Sequence, residues 1–322
     1  MKILVTGGAG FIGSSLTAAL LSRGDQVIAI DNFNDYYSPA RKRANVAPFI
    51  KHQTDLYTLY ELDFRDGAEV KRVVGQHQPE AIAHIGAMAS VRYSVNRPQL
   101  YIDTNISGSV NLLEAAQENK IDNFVFASTS SVYGQTDQVP FVETQSTDYP
   151  LAPYPATKKA VELFGHAYHN MHGLNFTALR FFNVYGPQGR PDMMPYIVLE
   201  RITQEREITL FDNGQMHRDW TYIDDIVQGI IAAIDRPLGY EVVNLGRGEP
   251  VLMRDFIDIA EEIAGKSAII KAVPAPASEP KITYANVDKA RRLLDYNPQT
   301  SIVDGLNNFW QWYQTAGLAP DA

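Results

Sequence analysis

Three glycines spaced three apart, Gly7, Gly10 and Gly13, lie directly between a short apolar run, Lys2 to Thr6, and an amphipathic stretch that starts at Ile12. A glycine turn leading from strand into helix lets a ligand approach the backbone and aims a helix N-terminus at it, as a dinucleotide's phosphates require. The next apolar run, Gln26 to Ile30, is followed by Asp31, 18 residues beyond Gly13. A carboxylate roughly 20 residues on is expected to accept hydrogen bonds from a ribose. It would repel a 2′-phosphate, so the reading favours NAD over NADP. Arg41, Lys42 and Arg43, after Pro39, read as a solvated helix face. Asp63 and Phe64, at the end of the third apolar run, are candidates to hold the adenine amino group and cover its ring. The candidate cofactor contacts are therefore Gly7, Gly10, Phe11, Ile12, Gly13, Asp31, Asn32, Asp63 and Phe64.

The first half of the chain repeats this βα rhythm. Strands are predicted at Lys2 to Thr6, Gln26 to Ile30, Thr58 to Asp63, Ala81 to His84, Asn123 to Ser128 and Asn175 to Arg180. Most lack polar alternation, as parallel strands covered on both faces do. Helices are predicted at Ile12 to Arg23, Asp66 to His77, Pro98 to Glu118 and Pro155 to His172. The rhythm loosens after about residue 181, where Gly186, Pro187, Gly189, Pro191 and Pro195 crowd together. Helices near Met194 to Arg206 and Ile223 to Asp235, strands near Ile208 to Phe211 and Glu241 to Leu245, an extended loop marked by Pro274, Pro276 and Pro280, and a last helix near Ile302 to Gln314 follow. The fold class is α/β, a Rossmann-type doubly wound parallel sheet with a smaller C-terminal α/β substrate lobe. Residues 1–180 form the NAD-binding part and 181–322 the second lobe, with an interleaved boundary.

Composition narrows the function classes. A formal charge of −9 offers no basic excess for nucleic acid or an anionic membrane. No apolar run reaches 18 residues, so no membrane span is expected. The N-terminal apolar stretch is broken by glycines and reads as part of the fold, not as a signal peptide. The chain has no cysteine. That excludes disulfides, thiol nucleophiles and thiolate metal sites, and it fits a reducing cytoplasm. His166, His169 and His172 recur every three residues but drift around a helix, and read as a solvated face, so no metal is expected. The aromatic residues from Phe309 to Tyr313 read as packing.

Tyr154 and Lys158 are four apart and share a helix face. An ammonium beside a phenol favours the phenolate, lowering a pKa that is about 10 unperturbed and making the tyrosine a usable base. Ser128, Thr129, Ser130 and Ser131 cluster where a strand ends, which in an open parallel sheet is where ligands bind.

These pieces together resemble an extended short-chain dehydrogenase/reductase of the nucleotide-sugar epimerase group. The matching segments are VTGGAGFIGSSL at 5–16, DNFNDYY at 31–37, STSSVYGQ at 128–135, YPATK at 154–158, LRFFNVYGP at 179–187, GRPDM at 189–193 and RDWTYIDDI at 218–226. The resemblance implies a 4-epimerase, an isomerase that keeps NAD and acts on a UDP-sugar. Tyr154 takes the proton of the sugar 4-hydroxyl as hydride leaves C4, Thr129 hydrogen-bonds the same oxygen, and Lys158 tunes Tyr154 and holds the nicotinamide ribose. The 4-keto sugar then rotates and hydride returns to its other face. Asn105 resembles a structural asparagine near the nicotinamide, or is an exposed helix residue. Relatives that dehydrate or decarboxylate carry an acidic residue close after the threonine, where this chain has Ser130 and Ser131. The resemblance also implies a homodimer through paired helices.

Substrate candidates follow from the same likeness. Asn183 resembles a residue that reaches the sugar or its phosphates, and Arg218 one that pairs with the pyrophosphate, unless it bridges to Asp219 or Asp225. GRPDM, DNFNDYY and VRYS at 91–94 look most like UDP-glucuronate 4-epimerases, with Arg190 or Arg92 attending the C6 carboxylate and Ser130 helping to hold it. Asn183 in place of threonine and Met88 in place of glutamine lean toward neutral sugars, which keeps UDP-glucose/UDP-galactose and N-acetylated pairs as alternatives. A non-catalytic NAD-sensing protein is the alternative of another class.

Overall fold

The computed structural model describes residues 1–52, 55–275 and 281–317. Its strands run β1 (Lys2–Thr6), β2 (Gln26–Asp31), β3 (Tyr57–Glu61), β4 (Ala81–His84), β5 (Asn123–Thr129), β6 (Asn175–Phe181), β7 (Asn183–Tyr185), β8 (Glu207–Phe211), β9 (His217–Tyr222), β10 (Tyr240–Leu245), β11 (Pro250–Leu252), β12 (Ile269–Val273) and β13 (Ile282–Thr283). Its helices are α1 (Phe11–Ser22), α2 (Pro39–His52), α3 (Gly67–His77), α4 (Val91–Ser94), α5 (Pro98–Tyr101), α6 (Gly108–Glu118), α7 (Pro153–His172), α8 (Met194–Thr203), α9 (Ile223–Asp235), α10 (Met253–Ala264), α11 (Asp288–Leu294) and α12 (Ile302–Trp312).

Seven strands form a parallel sheet in the order β10-β6-β5-β4-β1-β2-β3. Alternate residues of each strand feed two cores, as the strand period demands. Ile3 and Val5 face the side covered by α1 and α9, with Leu16, Leu20, Ile226 and Ile230. Leu4 faces the side covered by α3, α6 and α7, with Val70, Leu112, Leu113 and Val161. Each such aliphatic side chain contributes about 1.5–3 kcal/mol when fully buried. The second face also explains β5, whose seven residues are all buried.

The strand order reverses between β1 and β4, and in an open parallel sheet that reversal leaves a crevice at the strands' carboxyl ends. β10, which follows residue 181 by many turns of chain, closes one edge of this sheet against β6. The later chain adds two smaller sheets, β9 flanked by β7, β11 and β13, and the parallel pair β8 and β12.

Two local departures from the expected elements bear on the site. The helix expected from Pro98 to Glu118 is interrupted by a π-helical stretch, Ile102–Ser107, between α5 and α6. The charged run after Pro39 forms α2, but Lys42 is buried and not solvated: its ammonium donates to the backbone and side-chain oxygens of Asn34 at 2.7 and 3.1 Å and lies over the Tyr37 ring. Phe309 and Tyr313 are buried, as packing requires. Pro276 and Pro280, two of the three prolines of the expected extended loop, lie outside the described residues.

Candidate active site

The glycine turn occupies the crevice. Gly7 has φ +65°, and a Cβ there would stand 2.7 Å from the Cα of Gly86, which follows β4. A Cβ on Gly13 would stand 2.0 Å from the Gly7 carbonyl oxygen, so the turn and the first helical turn pack only as glycine. Gly10 precedes α1, whose N-terminus has no side-chain cap and no acidic residue in its first turn, so the amides near Phe11 and Ile12 and the helix dipole are available to an anion. Asp31 ends β2 braced on both oxygens, accepting from the amides of Ala9 at 3.0 Å and Phe33 at 2.8 Å. Asn32 donates to Asp63 at 2.9 Å, and Asp63 also receives Arg65. Burial pushes the Asp63 carboxyl up, but the bonds from Arg65 and Asn32 outweigh it and hold it below the ordinary range. The Phe64 ring is wedged between Gly86 and Gly108 and lies edge-on to His84, within the core.

The catalytic candidates converge at the carboxyl end of β5. Thr129 closes that strand, its hydroxyl accepting from the Ser131 amide at 3.2 Å and standing in hydrogen-bonding reach of the Tyr154 phenol. Ser130 follows in a single 3₁₀ turn. Tyr154 and Lys158 are held on α7, with the Tyr154 amide bonded to Ser94 Oγ and its ring edge-on to Tyr101. Lys158 is buried, donating to the Ala127 carbonyl at 2.6 Å over the ring of Phe126. Desolvation brings its pKa down to about 7, with Glu162 acting in the opposite direction. Against the sequence expectation, the Tyr154 pKa is raised, because burial outweighs the lowering by Thr129 and by the positive charge of Arg190. Arg190 supplies positive charge to the phenol, and Lys158, which donates to the β5 backbone, is too desolvated to keep its proton where a phenol titrates.

Asn105 resolves as a buried residue, not an exposed one. From the π-helical turn it accepts from the Met88 amide at 2.9 Å and donates to the Met88 carbonyl and Thr157 Oγ1, both at 3.0 Å, so it pins the Met88 loop to α7. Arg190 is mostly buried beside Tyr154, whereas Arg92 is exposed and stacks on Phe211 at 5.7 Å. Asn183 opens β7 in register with Trp220 on β9. Arg218, also on β9, donates to the His217 carbonyl. Asp219 accepts the amides of Arg247, Gly248 and Ala285, and Asp225 those of Gln299 and Thr300, so both carboxylates hold backbone. Of the α7 histidines, His166 and His169 both lie against Tyr240, His169 also meets the Leu174 carbonyl, and His172 lies against Tyr168.

Residues 3–246 match the NAD dependent epimerase/dehydratase family. The chain belongs to that family. Among relatives, a UDP-glucuronate 4-epimerase of Thermodesulfobacterium geofontis is 40% identical over 311 residues, covering 96% of this chain and 95% of that protein. Among solved structures, UDP-glucuronic acid 4-epimerase from Bacillus cereus, in complex with UDP-glucuronic acid and NAD, superimposes with a TM-score of 0.90 at 35% identity, covering 98% of this chain and 99% of that one. UDP-glucose 4-epimerase from Thermotoga maritima, with UDP-glucose, gives 0.88 at 31% identity over 98% and 99%.

The residues of this epimerase-family chain fit the dinucleotide that the family description names. Besides the glycine cradle and Asp31, the buried Tyr37 hydroxyl reaches toward the Phe11 backbone at the start of α1, makes no hydrogen bond of full geometry among the described residues, and would lie 3.7 Å from a Cβ on Gly10. A buried hydroxyl so weakly satisfied costs about 1–3 kcal/mol, which a diphosphate oxygen would relieve. Sequence reasoning passed over Tyr37, and also Tyr36, Asp192 and Glu162, whose roles come from contacts between distant segments. The motif DNFNDYY held the only signal for the two tyrosines.

Proposed function

We propose that this chain interconverts UDP-glucuronate and UDP-galacturonate by epimerisation at C4. The observation that carries the reading is the grouping of Thr129, Tyr154 and Lys158 with a buried arginine, Arg190, in charge reach of the Tyr154 phenol. Tyr154 takes the proton of the sugar 4-hydroxyl and returns it, and Thr129 hydrogen-bonds the same oxygen. Lys158, with a pKa near neutrality, supplies or stores a proton at Nζ and holds the nicotinamide ribose. Bound NAD supplies the hydride acceptor and donor at C4, so no net oxidation results. Gly7, Gly10, Phe11, Ile12, Gly13, Asp31, Asn32 and Asp63 hold the dinucleotide. Met88, Ser130, Asn183 and Arg218 line the sugar nucleotide, and Arg190 attends its carboxylate.

Residues 1–180, with most of the main sheet, carry the cofactor, and residues 181–322, which return β10 to that sheet, add Asn183, Arg190 and Arg218 to the sugar-nucleotide site. We further infer a homodimer, supported by Leu163, Phe164 and Met171, which leave an apolar strip exposed on α7. No helix among the described residues is long and apolar enough to cross a membrane. With no cysteine in the chain, a cytoplasmic location is the natural setting.

The test is a proton NMR time course of the purified protein with UDP-glucuronate and, separately, UDP-glucose, with no NAD added. Growth of the UDP-galacturonate anomeric signal alone is expected. Growth of UDP-galactose alone would move the substrate to the neutral sugar, the reading favoured by Asn183 and by the likeness to the Thermotoga enzyme. Silence with both would leave only N-acetylated sugars or a protein that binds NAD without turnover.

A further inference from the structure

Arg190 does not stand free beside Tyr154. Its Nε and Nη2 donate to the two oxygens of Asp192 at 2.9 and 2.8 Å, a two-point pair that fixes the guanidinium plane. Asp192 is fixed in turn by the Tyr36 hydroxyl, which donates to Oδ2 at 2.7 Å. The Tyr36 ring lies 5.6 Å from the Arg190 guanidinium carbon and edge-on to Tyr93 at 5.0 Å, and Ser90 reaches the Tyr36 hydroxyl. Three loops therefore meet around one arginine: the one that follows Asp31 at the end of β2, the one after β4, and the one before α8. Arg190 is 18% exposed, and the edge of the fork left over for a further acceptor is Nη1.

Resting on the uronate reading above, we propose that Tyr36 and Asp192 are positioning residues for sugar specificity: they lock Arg190 so that its Nη1 edge meets the C6 carboxylate of a hexuronate beside Tyr154. Asp192 also neutralises Arg190, which makes charge and position predict opposite outcomes. If the arginine acted only by its charge, removing the aspartate's charge would strengthen uronate binding. If its orientation matters, the same change weakens it, because a long guanidinium must then be ordered at the substrate's expense. Tyr36 further ties this grip to the cofactor loop, since it lies five residues after Asp31.

The experiment measures affinity of the NAD-loaded protein for UDP-glucuronate and UDP-glucose by calorimetry, in a Tyr154→Phe background that stops turnover, with and without Asp192→Asn or Tyr36→Phe. The readout is the ratio of the two affinities, which a general loss of folding or cofactor does not move. Asp192→Asn is expected to lower the preference for UDP-glucuronate by about tenfold or more, and Tyr36→Phe by about threefold to tenfold, the effects of losing a charged pair and one hydrogen bond to a charged group. A ratio that stays unchanged or rises in Asp192→Asn overturns the proposal while leaving the uronate reading standing. A background protein that already binds UDP-glucose better overturns both, and does so before either variant is examined.

Discussion

Lys158→Met should stabilise the NAD-free protein in a way that fades with pH. Lys158 is 2% exposed, and desolvation lowers its pKa from 10.5 to about 7. Below pH 7 both folded and unfolded chains carry the proton, so folding buries the charge at full cost. Between about 7 and 10.5 the unfolded chain binds one more proton than the folded one, so the wild-type protein gains about 1.4 kcal/mol for each pH step. Above 10.5 the penalty is gone. The whole interval corresponds to about 5 kcal/mol. Against it stands the bond to the Ala127 carbonyl, which a neutral amine also makes, about 1 kcal/mol. Methionine keeps the unbranched stem without the charge, so it should be more stable than lysine by about 4 kcal/mol at pH 6 and lose most of that lead by about pH 9. Guanidinium unfolding of both proteins at pH 6, 8 and 9 measures the difference, and effects of other titrating groups cancel between them. A difference that is flat with pH, or a methionine variant weaker at pH 6, would refute the assignment of a desolvated ammonium.

Three further outcomes are expected. Tyr154→Phe should retain NAD, seen in the absorbance of the purified protein, and lose about 10³-fold or more in turnover, whereas turnover within tenfold of wild type would remove Tyr154 from the chemistry. Tyr37→Phe should weaken NAD and ADP-ribose by about fivefold to thirtyfold but leave adenosine unchanged in binding titrations, because its weakly satisfied hydroxyl stands beside the glycine turn proposed to hold the diphosphate. Asp219→Ala leaves three backbone amides and the Thr221 hydroxyl without their buried acceptor. It should cost about 3–5 kcal/mol in chemical denaturation, and a loss under 1 kcal/mol would mean that water replaces the carboxylate.

Elements whose burial follows from local pattern were legible in the sequence. β1 and β4 fall where predicted, and α9 does so because its apolar period is strong. The π-helical turn at Ile102–Ser107 was not legible, since nothing in the local pattern distinguishes it from α-helix; it is set by Asn105 reaching Met88 and Thr157, 17 and 52 residues away. Lys42 escaped for a similar reason. A charged residue in a charged run reads as solvated, and only Asn34 and the Tyr37 ring, brought over it by the preceding loop, make burial tolerable. The Tyr154–Lys158 spacing correctly put two groups on one helix, but spacing carries no information about desolvation. The sign of the Tyr154 shift therefore had to come from what surrounds the phenol.

Oxidation at C4 of a hexuronate gives a β-keto acid with an acidified C5 proton, and a neighbouring free carboxylate would invite enolisation. Ser130 and Ser131 stand directly after Thr129, with no acid in that turn. Of the acids near the site, Glu162 accepts from Ser128 at 2.6 Å and from Arg180 at 2.9 and 2.8 Å, and Asp192 is bound by Arg190 and Tyr36. Burial pushes both carboxyls up, but their cationic partners win and hold both below the ordinary range. A carboxylate so held is a poor base. Asp192 also fixes Arg190, and under the proposed contact with the sugar carboxylate that arginine would restrain it from turning its C–C bond parallel to the carbonyl π-system, the alignment that loss of carbon dioxide requires. On that proposal, returning hydride to C4 is the exit that the surrounding side chains leave open, and the loops after β2 and before α8 would both select the uronate and protect its ketone.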